Sequence, residues 1–293
     1  QVTVYEQRPK LGGMLRYGIP DYRLPQEILD RDIDHILSAG VRVHTGVSIG
    51  RDLTMEDIQK SFDAVYIAIG AHQDKKTGIP GEDSVNVMSA VEMLRDIGDD
   101  IMPDFSGKKV VVIGGGNVAM DVTRSSVRLG AASVIMACLE DEKHMPASEE
   151  EVARAREEGI TIMNSWGPKE ILRQDGRITG LVLKRCTQVF DENGHFAPAY
   201  DDENTTTLEG NSILMAVGQK TDLSFLGEEL ELKVNRGLIS VEPDTLKTSI
   251  PKVFAVGDVT TGPKTVVDAI ADGKKAAVFV DSFMTGQPAK NYE

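Results

Sequence analysis

The residues of this sequence with the plainest chemical use are three consecutive glycines and the three residues after them, Gly114-Gly115-Gly116-Asn117-Val118-Ala119. The run fits the spacing G-x-G-x-x-A and lies between an apolar, strand-like stretch, Val110 to Ile113, and a helical one, Val118 to Leu129. In that setting Gly114 allows a tight turn, Gly116 lets the backbone approach a pyrophosphate, and Ala119 lets the helix pack close to the strand. The anion then rests on the N-terminal N–H groups of the helix. The pattern predicts dinucleotide binding; the bland alternative is a glycine-rich turn with no ligand. After the next strand, Ser133 to Ala137, the chain reads Cys138-Leu139-Glu140-Asp141-Glu142-Lys143. A carboxylate at Glu140 accepts hydrogen bonds from ribose hydroxyls and repels a 2'-phosphate, and no arginine stands beside it. NADH is therefore expected over NADPH, the alternative being that Glu140 is a solvated strand-end acid.

Side-chain catalysis has little to work with. His35, His44, His72, His144 and His195 are scattered through helix, strand and loop patterns, with no Ser or Cys nucleophile motif to pair with. Cys138 and Cys186 are the only cysteines and form no C-x-x-C pair. Each lies in an apolar, strand-like context where a buried free thiol is the ordinary explanation. A redox dithiol, a zinc site and an iron-sulfur cluster all fail on that count. The 32 basic and 46 acidic residues give a net charge of -14, which would repel a phosphate backbone and argues against nucleic acid as a partner. The longest apolar runs, such as Val110 to Ile113 and Ala276 to Val280, are too short to span a bilayer. No basic segment followed by an apolar one opens the chain, so a cytoplasmic location is the expectation.

Positioning these groups requires a scaffold, and 293 residues with 41% hydrophobic and 27% charged side chains are enough for two globular domains. The chain opens inside a strand, Val2 to Glu6. A helical pattern follows from Gln26 to Ala39, then a strand from Val41 to His44 and a short helix capped by Thr54. The apolar run Ala64 to Gly70 is expected to be a central strand covered on both faces. A helix is expected from Ser89 to Ile97. From Lys108 a fresh βαβ pattern begins, and Ser148 is placed to cap an acidic helix from Glu149 to Glu158. Residues 160 to 219 lose helical periodicity. Ile160 to Met163, Ile178 to Leu183 and Ile213 to Val217 are strand-like, with turns at Gln174-Asp175-Gly176 and Asp191 to Gly194, and together they predict an inserted β-meander. Strand-like stretches at Leu238 to Val241 and Val253 to Asp258 precede a helix from Thr265 to about Met284.

Several further stretches carry a resemblance through their order along the chain: Gly12 to Pro25, Ile67-Ala68-Ile69-Gly70, Met215-Ala216-Val217-Gly218, Met145-Pro146, Ala155 to Gly159 and Val256-Gly257-Asp258. Together they resemble the flavin-dependent pyridine-nucleotide oxidoreductases, most closely the small subunit of glutamate synthase and its iron-sulfur-linked relatives. The resemblance implies an α/β fold with two Rossmann-like, doubly wound, three-layer nucleotide-binding domains, the NAD(P)H domain inserted in the FAD domain. The boundaries expected are 1–103 and 223–293 for the FAD domain and 104–222 for the NAD(P)H domain. It further implies that Glu6, a weak signal alone, holds the FAD adenosine ribose. Gly12, Gly13 and Arg16 would line the flavin side and Asp258 would bind the ribityl chain, with Ala68, Gly70, Gly218 and Gly257 also contacting cofactor. Thr265, Val266 and Val267 would open a helix whose N–H groups face the pyrimidine end of the flavin and stabilise negative charge there.

Two departures from the family pattern bear on function. The FAD pyrophosphate loop expected ahead of Val2 is absent, so this chain is expected to hold FAD weakly or not at all. The glutamate synthase subunit carries an arginine pair for the 2'-phosphate where this chain has Leu139-Glu140, which argues for a relative using NADH. The expected reaction moves hydride from the nicotinamide to FAD and electrons on to an iron-sulfur domain or subunit, a tether overcoming the repulsion between two acidic proteins. The rival readings are a nucleotide-binding redox sensor or structural module without turnover, an NADPH-dependent glutamate synthase small subunit, and a non-flavin dehydrogenase with one Rossmann unit.

Overall fold

The computed structural model of the chain describes residues 1–227 and 231–289. Its principal strands are β1 (Thr3–Glu6), β2 (Arg42–Thr45), β3 (Val65–Ile67), β4 (Val87–Ser89), β5 (Lys109–Ile113), β6 (Ser133–Cys138), β7 (Thr161–Asn164), β8 (Trp166–Gln174), β9 (Arg177–Phe190), β10 (Phe196–Glu209), β11 (Ser212–Met215) and β12 (Val253–Ala255). Its principal helices are α1 (Gln26–Leu37), α2 (Met55–Ser61), α3 (Ala90–Gly98), α4 (Asn117–Arg128), α5 (Glu149–Glu157) and α6 (Val266–Thr285). The chain forms two compact units, the first from Gln1–Met14, Glu27–Gln73 and Gln219–Glu293, the second from Leu15–Gln26 and Asp74–Gly218. Residues 74–103 group with the second unit, β4 joining its sheet and α3 its core.

The second unit is built on a five-stranded parallel sheet in the order β4-β11-β5-β6-β7. Strand β5 shows why its sequence is a continuous apolar run. Val110 and Val112 face a core shared with Met93 and Leu94 of α3 and Met120 and Val122 of α4, while Val111 and Ile113 face the opposite side. That opposite side is closed not by helices but by the antiparallel sheet β10-β9-β8, which contributes Ile171, Ile178, Leu181, Leu183 and Leu208. The expected meander is therefore a covering layer, and its membership differs from the sequence reading. Ile160 to Met163 and Ile213 to Val217 supply the parallel strands β7 and β11, and the meander consists of β8, β9 and β10. Short apolar runs do not announce their partners, so periodicity could not separate the two sheets.

Segment 15–26 docks on this unit through buried side chains. Tyr17 is fully enclosed, and Gly98 at the end of α3 makes room for it: a Cβ there would lie 2.6 Å from Tyr17 Cδ1. Arg23 Nη1 meets both carboxylate oxygens of Asp121 at 2.9 Å. Arg124 bridges Glu151 at 2.5 Å and Glu158 at 2.9 Å and lies over the Tyr22 ring.

In the first unit β1 pairs with β2 and β12 with β3, both in parallel. Met55, Ile58, Val65, Ile67, Val253 and Ala255 form its core. Strand β3 is shorter than the apolar run suggested, and Tyr66 remains 39% exposed, so it is not covered on both faces. Thr54 caps α2 through a reciprocal capping box with Asp57. At the other end Lys252 Nζ donates to the carbonyls of Gln59 and Phe62. Helix α6 buries only Ala276 and leaves Val266, Val267 and Ile270 exposed, unlike an amphipathic core helix. Among the described residues no helix is long and apolar enough to cross a membrane.

Candidate functional site

In the second unit the glycine turn joins β5 to α4, and each glycine answers a different constraint. Gly114 has φ 142°, and a Cβ there would collide with the carbonyl of Ala216 just past β11. Gly116 is the N-cap of α4 and makes no side-chain cap, while the space a Cβ would fill there is open to 4 Å. The first turn of a twelve-residue helix thus begins beside open space at Gly116, and its N–H groups suit an anionic pyrophosphate. Ala119 is buried against the sheet, and Asn117 Oδ1 accepts from Ser148 N at 3.0 Å. The carboxylate of Glu140 lies against this turn: a Cβ on Gly115 would be 2.6 Å from Glu140 Oε2. The strand end that carries it is fixed, since the Glu140 carbonyl accepts from Ser165 N at 2.9 Å and Asn164 Nδ2 at 3.3 Å. Gly218, with φ 105°, follows β11, and its carbonyl accepts from Lys75 N at 3.0 Å.

Beyond Glu140 an open cleft of about 800 Å³ carries the cations Lys143 and Arg156 and the acids Asp141, Glu142 and Glu149. Arg156 is engaged by Glu142 at 2.6 Å. Cys138 and Cys186 are both free and buried. Burial, with the Glu140 charge added, pushes the Cys138 thiol up to about 12.

In the first unit Glu6 ends β1, and its Oε1 accepts from Arg8 N at 2.7 Å. Burial raises its carboxyl above the ordinary range, against the lowering effect of the Arg8 amide and charge. Gly12 and Gly13 follow with φ 125° and 50°. Ala68 and Gly70 extend β3, and Val256 N donates to Ile67 O at 3.1 Å, which sets the end of β3 beside the Gly257-Asp258 turn. Asp258 Oδ1 accepts from Lys264 N at 3.1 Å, immediately before Thr265, the N-cap of α6. Burial raises the Asp258 carboxyl, and Asp268 and Asp272 on α6 add to the effect by repulsion.

The family model described as pyridine nucleotide-disulphide oxidoreductase matches residues 1–273. The chain belongs to that family. Within it, the beta subunit of NADP(+)-dependent formate dehydrogenase from Moorella thermoacetica is 39% identical over 97% of this chain and 40% of its own length. A putative glutamate synthase [NADPH] small chain from Cereibacter sphaeroides is 36% identical over 99% of this chain and 72% of its own length. The chain therefore spans well under half of the first relative. Among solved structures, Mycobacterium tuberculosis FprA in complex with NADPH matches with a TM-score of 0.80 at 19% identity, covering 100% of this chain and 80% of that one. Thioredoxin reductase from T. acidophilum matches with a TM-score of 0.73 at 21% identity, covering 97% and 90%. The fold is thus the two-domain α/β fold of these oxidoreductases.

Within that family frame, Gly114, Gly116, Asn117, Val118, Ala119 and Glu140 stand around one turn of the second unit, and Gly257, Asp258, Thr265, Val266 and Val267 around one helix start of the first. Arg16 follows Gly13 by three residues. It belongs to the second unit, is 6% exposed, and donates to Gln26 Oε1 at 2.5 Å. Gly115, Asn164 and Ser165 contact Glu140 and were not singled out by the sequence. Gly115 had a signal, being glycine at a motif position that tolerates other residues. The other two had none, since they reach Glu140 from a different strand end.

Proposed function

We propose that this chain is the nucleotide-handling part of a flavin-dependent oxidoreductase that takes hydride from NADH, in preference to NADPH, onto FAD and passes electrons to an iron-sulfur domain or subunit. The observation that carries the proposal is the Glu140 carboxylate lying against the glycine turn. There the N–H groups at the start of α4 hold the pyrophosphate, Gly116 leaves room for it, and Glu140 accepts from the adenosine ribose hydroxyls. A 2'-phosphate brought to the same place meets a like charge with no cation at position 139 or 141. In the first unit Glu6 is the acid for the FAD ribose, Asp258 holds the ribityl chain, and the start of α6 favours negative charge on the ring. The flavin, when bound, supplies the redox chemistry by accepting hydride. The chain's own residues bind and orient, and no side-chain nucleophile is required.

A second reading, NADPH use, is favoured by the relatives' names and by Lys143 and Arg156 in the cleft beyond Glu140. It requires Arg156 to leave Glu142. The two readings separate when flavin-loaded, full-length protein is mixed anaerobically with NADH and with NADPH and flavin absorbance is followed. Faster bleaching by NADH is expected. Faster bleaching by NADPH, lost in K143A/R156A, would transfer the role to those cations, and no bleaching by either would remove the enzyme reading in favour of a sensor or structural module.

A further inference from the structure

The middle position of G-x-G-x-x-A has no chemical requirement of its own, yet this chain has glycine there. Gly115 is buried, and its φ lies outside the left-handed region, so the backbone would accept an L side chain. The surroundings would not. A Cβ at 115 would stand 2.6 Å from Glu140 Oε2 and 2.9 Å from Cys138 Cβ, both inside contact distance. Both backbones are tied by hydrogen bonds. The Gly115 carbonyl accepts from Ala147 N at 3.1 Å, and the Glu140 carbonyl is held by Ser165 N at 2.9 Å and by Asn164. Relief must come mainly from rotation of the Glu140 side chain, the one flexible group in contact.

We infer that Gly115 is a specificity-determining residue: its missing side chain is what allows the Glu140 carboxylate to lie over the turn, where it discriminates between a ribose hydroxyl and a ribose phosphate. The inference rests on the reading of Glu140 given above. It adds that nucleotide choice is set by a pair of positions, 115 and 140, and that the acid cannot read the ribose unless position 115 is glycine. The three glycines then have separate duties. Gly114 yields to the Ala216 carbonyl, Gly116 to the ligand, and Gly115 to the acid.

The test is a double-mutant cycle read by equilibrium titration of NADH and NADPH into the full-length protein, following nicotinamide fluorescence. Glu140→Gln is expected to reduce the ratio of the NADPH to the NADH Kd by at least about tenfold, through loss of like-charge repulsion. Gly115→Ala is expected to reduce the ratio by a similar factor, and Gly115→Ala in the Glu140→Gln background to leave it where Glu140→Gln alone puts it. A Gly115→Ala protein that weakens both nucleotides by one factor, with the ratio intact, shows strain alone and overturns the inference. An unchanged ratio in Glu140→Gln overturns the reading of Glu140 instead, and so is distinguishable. Should Gly115→Ala unfold, melting temperatures carry the same cycle: its destabilisation should shrink in a Glu140→Ala background, and an equal drop in both backgrounds overturns the coupling.

Discussion

Removing the Arg124 guanidinium should be among the most damaging single changes in the nucleotide unit. Its side chain is 5% exposed and bridges Glu151, 6% exposed, at 2.5 Å and Glu158 at 2.9 Å. Without it Glu151 keeps only Arg23 at 3.6 Å and Arg154 at 3.9 Å among its ion-pair partners, both beyond good hydrogen-bonding range. The intact pair need not be a strong net stabiliser, because desolvation offsets much of its Coulombic gain. The loss arises because a charged carboxylate stays buried with its best partner gone, which costs about 3–5 kcal/mol. Loss of the stacking of Arg124 on the Tyr22 ring, 4.7 Å away, places the total toward the upper end of that range. For a domain of this size each kcal/mol moves the melting point by about 2–4 °C, so Arg124→Met should melt on the order of 10 °C lower by far-ultraviolet circular dichroism. Adding Glu151→Met should restore more than half of the loss, since the orphaned charge is then removed. A single variant within about 2 °C of wild type, or a double variant below the single, would refute the reasoning.

Burial holds the Asp121 carboxyl up to about 6, against an ordinary 3.8, with Arg23 opposing and Glu151 reinforcing the shift. Because the folded value is the higher one, its stabilisation is full below the unfolded pKa and is lost as pH rises through about 6, a change worth about 3 kcal/mol. In urea unfolding, the wild type minus Asp121→Asn difference should fall by up to that amount between pH 4 and 7, and a flat difference refutes it. Lys252→Met should cost about 1–2 kcal/mol in the same assay, since Nζ satisfies carbonyls at the C-terminal end of α2, and a negligible change would deny it that role. Gly114→Ala should lower both stability and NADH affinity, whereas Gly116→Ala should lower affinity alone. Equal melting points for the two variants would sink the distinction.

The parts of the fold legible in the sequence were those specified locally. Thr54 and Ser148 cap their helices as their residue types and the acidic positions after them indicate, and the helix expected from Ser89 runs from Ala90 to Gly98 with Ser89 as its cap. The turns at 175–176 and 191–195 close hairpins because Gly176 and Gly194 adopt positive φ. Partner choice was not legible. Ser212–Met215 is an apolar run like any other until Val110–Ile113 and Val87–Ser89 pair on either side of it. The site divides the same way. The glycine turn and Glu140 are close in pattern and lie against one another, while Arg16, which resemblance alone pointed to, is buried and bonded to Gln26. Arg16 sits in the helix Met14–Tyr17, whose four residues are too few to fix an orientation by periodicity.

The family's description includes disulphide chemistry, and the thiols of this chain bear on the route by which electrons leave. Thiol–disulfide exchange needs a thiolate, and the attacking sulfur works best with a pKa near the ambient pH. Cys138 does the opposite. Burial and the neighbouring Glu140 charge push it up to about 12, so at neutral pH its thiolate fraction is on the order of one part in 10⁵. Cys186 is raised in the same direction by burial. Cys138 instead packs in place, with its Cβ against Gly115 and its sulfur accepting from Asn164 at 3.3 Å. The Glu140 carboxylate and the Cys138 thiol are electrostatically opposed. Burial thus raises both thiols above their ordinary value, away from the range in which exchange works best.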